Sequence, residues 1–86
     1  MSDSTDIQPI PLSSLAAGAR GRVAEIRIAM ADRSRLLEMG LIVGTPLELV
    51  RFAPMGDPVE IKVRGYHLTL RRSDAEQILV RPMPVR

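Results

Sequence analysis

The stretch VEIKVRGYHLTLRR, residues 59 to 72, decides the fold. Val59, Ile61 and Val63 alternate with Glu60, Lys62 and Arg64; past Gly65, the series Tyr66, Leu68, Leu70 alternates with His67, Thr69 and Arg71. A period of two sends successive side chains to opposite faces, so each half reads as a strand with one buried face. The two apolar faces stay in phase whether the loop residues are Arg64-Gly65 or Gly65-Tyr66. The spacing therefore predicts a tight hairpin and leaves both registers open.

Downstream, SDAEQILV (residues 73 to 80) places Ser73 three positions before Glu76, a capping box that starts one helical turn before Ile78 to Val80 return as a last short strand. Upstream, APMGDP (53 to 58) brackets a glycine-aspartate pair with prolines and reads as a loop. Before it, PLELVRF (46 to 52) puts Leu47 and Leu49 on one face and Val50 and Phe52 on the other. Such mixed burial suits a strongly bent strand in a small barrel.

AMADRSRLLEMGL (29 to 41) changes period. Asp32 is the expected N-cap, Leu36, Leu37 and Met39 form an apolar side, and Gly40 takes the left-handed C′ position with Leu41 packing back. The expectation is a helix of about two turns. GRVAEIRI (21 to 28) has Ala24, Ile26 and Ile28 on one strand face. PLSSLAAGARGRV (11 to 23) offers Ser13 or Ser14 as cap of one helical turn, with Leu12 and Leu15 on a common side and Gly18 ending it.

The chain is thus expected to be mainly β: a small five-stranded SH3-like barrel with short helices in the connections, the economical way for a short chain to remove open sheet edges. With 86 residues it forms one domain. Residues 1–10 read as a flexible polar tail, 11–81 as the barrel and 82–86 as a C-terminal tail.

Composition narrows the chemistry. Cysteine is absent and histidine occurs once, so thiolate chemistry and disulfides are excluded and a side-chain metal site lacks its usual ligands. The weak metal candidates are His67, Asp57 and Glu60. No Gly-Lys-Ser/Thr triplet is present, and Lys62, the one lysine, falls in mid-strand, so the usual phosphate loop is excluded. No catalytic motif surrounds His67. The expectation is a protein without enzymatic activity and without a cofactor. The opening residues carry Asp3 and Asp6 and are broken by Pro9 and Pro11, unlike a signal peptide, and the longest charge-free stretch is too short to span a bilayer. The chain is expected to be soluble.

Net charge is +2, but from Leu12 onward 12 basic residues face 8 acidic ones, and eleven of the twelve are arginine. Arg20, Arg22, Arg64, Arg71 and Arg72 offer a basic patch for nucleic acid. Against that reading, Phe52 and Tyr66 are the only aromatic residues available for base stacking.

The succession PLSSLAAGARGRVAEI, RLLEMGLIVGTPLELV and APMGDPVEIKVRGYHLTLRRSDAEQILV resembles the FeoA family of bacterial ferrous iron uptake, from Pro11 to Val80. The specificity lies in the order and spacing of the helix end LEMGLIVGT, the GDP loop and the LRRSDAE turn. The resemblance implies an SH3-like barrel, the fold also of the C-terminal domain of DtxR-type repressors. It implies a protein-binding module acting on the cytosolic part of the FeoB transporter, which carries a G-protein domain. It implies a cytoplasmic location, with any membrane association coming through that partner. The alternatives are a small basic nucleic-acid-binding barrel and a metal-sensing module. A two-turn helix on a small barrel does not bury every apolar side chain it carries. Leu36, Leu37, Met39 and Leu41, beside Pro54 and Met55, are accordingly the expected docking edge.

Overall fold

A computed structural model describes residues 8–84. Most of the expected N-terminal tail and the last two residues lie outside them. The elements in chain order are β1 (Ile10–Pro11), a 3-10 turn (Leu12–Ser14), β2 (Arg20–Ile26), α1 (Met30–Glu38), β3 (Pro46–Phe52), β4 (Val59–Val63), β5 (Tyr66–Leu70), α2 (Arg72–Glu76) and β6 (Ile78–Pro82). The six strands form one antiparallel sheet in the order β1-β6-β2-β3-β4-β5. It is the expected mainly β, SH3-like architecture with one more strand. The extra strand is Ile10–Pro11, paired with Val80 and Leu79; two residues, one of them proline, carry no readable alternation.

The β4–β5 hairpin closes in one of its two open registers, with Val63 opposite Tyr66 and Arg64-Gly65 as the loop. Both loop residues have positive φ, 53° and 87°, the combination that matches the strand twist in a two-residue turn.

Two bulges explain the irregular strands. Between Leu49 and Arg51 the register with β4 shifts by one. Leu47 and Leu49 therefore face the core, while Val50 and Phe52 beyond it are half-buried. A second shift, between Val23 and Glu25, corrects the expected face of β2: Val23 and Ile26 point inward and Ala24 is only half-buried. Ile28 is buried as expected, although β2 ends at Ile26.

Both helix starts differ from expectation. Asp32 does not cap α1; Ala29 holds that position and makes no side-chain cap bond, leaving Asp32 in the first turn, where its charge favours the positive helix end. Ser73 does not cap α2 either, since Arg71 is the N-cap residue. The Arg72 amide donates instead to Asp57 Oδ1 at 3.0 Å, from the loop before β4. Ser13 and Ser14 lie inside the 3-10 turn, whose N-cap is Pro11.

The end of α1 is as the sequence predicts. Gly40 has φ 90°, its amide bonds Leu37 O at 3.0 Å, and the Leu41 amide reaches back to Leu36 O at 3.0 Å. That pair of bonds is the Schellman arrangement, and it drops Leu41 into the core beside Leu36.

Candidate functional site

The six expected docking residues fall into different settings. Leu36 and Leu41 have no exposed surface. They are core residues, which corrects the expectation that they form an accessible edge: the Schellman turn folds Leu41 back over the helix, and both pack with Leu47, Leu49 and Ile61 in one cluster. Met39 is half-buried against that cluster, and its carbonyl accepts the Tyr66 hydroxyl. Leu37 remains 43% exposed. Pro54 and Met55 are exposed on the loop before β4, Met55 to 90%.

Leu37 has apolar neighbours that sequence reading did not select. It lines an open groove of about 370 Å³ together with Ala24, Ile26 and Val43, with Glu25 and Arg33 at its polar margin. Val43 is 63% exposed and Ile42 41%. Pro54 lines a different depression with Phe52, Ala53 and Pro58. The groove is built from the non-polar side of α1, the bulged end of β2 and the turn that joins α1 to β3. One signal pointed to it: Ile42-Val43 is a pair of large apolar residues between two turn glycines, outside any periodic element, and such residues have no strand or helix face to bury them.

Arg33 crosses from α1 to the C-terminal end of β2, where its Nη2 donates to Ile26 O at 2.6 Å. Its Nε is buried and has no hydrogen-bond partner among the described residues. An apolar groove with a fixed cation and the Glu25 carboxylate at its margin is suited to a protein segment with an apolar anchor and polar flanks.

The weak metal candidates are arranged otherwise. Glu60 lies between two bases: Arg51 Nε donates to its Oε1 at 2.9 Å, and His67 Nδ1 is 2.6 Å from its Oε2. The hydrogen bond from His67, then that from Arg51, holds the Glu60 carboxyl below the ordinary glutamate range. Asp57 is engaged with the start of α2. No group of three or more His, Cys, Asp or Glu side chains among the described residues is placed to hold a metal ion.

The candidate nucleic-acid arginines also divide. Arg71 pairs with Asp74 at 3.3 Å and Arg72 with Glu76 at 3.4 Å. Arg20, Arg22 and Arg64 make no ion pair with a described residue. Asp74, 7% exposed, also lies 3.9 Å from Arg35 of α1, which it ties to α2. No signal in the sequence marked this buried carboxylate.

Residues 10–82 match the FeoA domain family. The chain belongs to the FeoA family. It is 36% identical over 69 residues to the Fe(2+) transport protein A/Fe(2+) transporter FeoB fusion protein of Porphyromonas gingivalis, a match that takes in 80% of this chain and 8% of that much longer protein. Among solved structures, the FeoA protein of Chlorobium tepidum is 43% identical, with a TM-score of 0.84 over 87% of this chain and 71% of its own. A manganese-dependent transcriptional repressor superposes with a TM-score of 0.78 at 19% identity, over 87% of this FeoA chain and 37% of the repressor. That likeness shows a shared fold. No helix among the described residues is long and apolar enough to cross a membrane.

Proposed function

We propose that this FeoA-family chain is a non-enzymatic, cytoplasmic accessory of ferrous iron uptake, a protein-binding module that acts on the cytosolic, G-domain-bearing part of a FeoB-like transporter. The observation that carries this reading is the P. gingivalis relative, in which a Fe(2+) transport protein A and the transporter FeoB are one polypeptide. Fusion holds the two parts at high effective concentration, an arrangement that favours direct contact. Ferrous iron is then the transporter's cargo, and this domain need not bind it.

The groove of Leu37, Val43 and Ala24 is the surface we assign to FeoB, with Ile42 beside it. Exposed apolar side chains gathered at one place, rimmed by a fixed cation and a carboxylate, fit a non-obligate protein interface. In a binding measurement with the cytosolic region of the cognate FeoB, Leu37→Ser and Val43→Ser should each weaken affinity about tenfold or more, as central interface residues do on truncation. Equal affinity in folded variants would refute the groove, and absence of binding by the wild-type chain would refute the module.

A further inference from the structure

The sheet carries a second surface of a different kind. Strand register places Arg20 opposite Glu48, Glu48 opposite Lys62, and Arg22 opposite Arg81, spanning four adjacent strands. The neighbours of these side chains along each strand, Gly21, Val23, Ile61, Val63 and Val80, are buried, so the charged residues stand together on the outer face. Arg64, at the hairpin turn, lines a shallow cavity of about 260 Å³ with Arg20, Lys62 and Glu48. All five bases are exposed.

Pairing separates this face from the rest of the molecule. Arg27, Arg35, Arg51, Arg71 and Arg72 each meet a carboxylate, whereas none of the five bases on the outer face forms an ion pair with a described residue. Arg22 and Arg81 sit directly opposite each other, a like-charge pairing that destabilises a sheet. The fold retains it although neither arginine forms an ion pair with a described carboxylate, which points outward for the compensating charge.

We infer that this face rests on the anionic phospholipid headgroups of the membrane in which the transporter works. The chemistry of the face favours lipid phosphate over nucleic acid. It is rich in cations, with Glu48 among them, and it lacks the row of aromatic rings on which successive bases stack: Phe52 packs against the core, and Tyr66, 42% exposed, belongs to β5, outside the four strands of this face. The inference rests on the transporter reading for the presence of a bilayer. It adds a contact that is weak alone and orients the domain once the groove is engaged, since the two contacts act through a shared effective concentration. Juxtamembrane bases gain from the negative surface potential in this way, within a Debye length.

The test is co-sedimentation of the full chain, without FeoB, with phosphatidylcholine vesicles carrying ~30% phosphatidylglycerol and with pure phosphatidylcholine vesicles, a contrast that isolates the headgroup charge. The wild type should bind the charged vesicles, release them at high salt, and ignore the neutral ones. Arg22→Gln/Arg81→Gln should bind about 25-fold more weakly, roughly fivefold for each charge removed. Arg20→Gln/Lys62→Gln provides an independent pair that does not disturb the Arg22 bond to Gly44 O, and Arg27→Gln should bind as wild type. Equal binding to both vesicle types, unchanged binding in both double variants, or no vesicle binding would overturn the inference. Binding of a short single-stranded oligonucleotide in place of vesicles at the same salt would overturn it in favour of nucleic acid. Because FeoB is absent from the assay, failure here leaves the docking groove standing.

Discussion

Leu36 and Leu37 are consecutive in α1, yet Leu36 has no exposed surface and Leu37 keeps 43% of its own. One turns into the core and the other into the groove with Val43 and Ala24. Successive helical side chains differ by about 100° in direction, so a helix lying on a sheet must divide such a pair.

Substitution at the two positions should therefore separate stability from binding. Leu36→Ala is expected to cost about 2–5 kcal/mol, the loss of a buried leucine plus its cavity. Leu37→Ala should change stability by no more than about 0.5 kcal/mol, as exposed positions do. Urea denaturation of both variants checks this, and similar midpoints for the two would contradict the placement of α1.

Asp57 reaches across from its loop to the first amide of α2. Asp57→Ala should lose about 0.5–2 kcal/mol, the range for removing a side-chain cap, while Asp57→Asn keeps the accepting oxygen and most of the stability. Hydrogen exchange at the Arg72 amide should quicken in the alanine variant. If exchange there is unchanged, the contact does not form in solution.

Asp74 ties α1 to α2 through Arg35 and Arg71 from a nearly buried position. Replacing it with alanine should cost about 1.5–3 kcal/mol, the range for hydrogen bonds to a charged group. Arg71→Gln, at an exposed end of the same contact, should cost less. Thermal melts order the two variants, and the reverse order would count against Asp74 as the shared centre.

Glu60 ties acid stability to the β-sheet. Its folded pKa lies below the unfolded value because His67 and Arg51 bond the carboxylate. The stabilisation is thus fully present above the ordinary glutamate pKa of about 4.3 and is lost as pH falls through the lower folded value. Glu60→Gln should lower the urea midpoint at neutral pH, and its difference from wild type should shrink below about pH 4. A difference that persists unchanged into acid would contradict the pairing.

Legibility in the sequence tracked how local each cause is. The β4–β5 hairpin and the glycine end of α1 were readable because alternation and a left-handed C′ residue are properties of short windows. The bulges after Val23 and Leu49 were not, since a one-residue shift is defined only against the partner strand. The cap of α2 comes from a residue 15 positions away, so the nearer Ser73 was the natural but mistaken choice. At the site, α1 and its apolar side were legible, but which leucine faces outward depends on where the sheet lies beneath the helix. Ile42 and Val43 belong to no periodic element, so no pattern marks them as a surface, and for the same reason they remain exposed.

The most direct test of the central claim is an amide chemical-shift titration of the isotope-labelled chain with the cytosolic region of its cognate FeoB, with and without guanine nucleotide. The account predicts saturable shifts centred on Leu37, Ile42, Val43 and the neighbouring Ala24 and Glu25, with the Met55 loop little affected. Shifts centred on the Met55 loop with the groove silent, or no shifts in either nucleotide state, would contradict it.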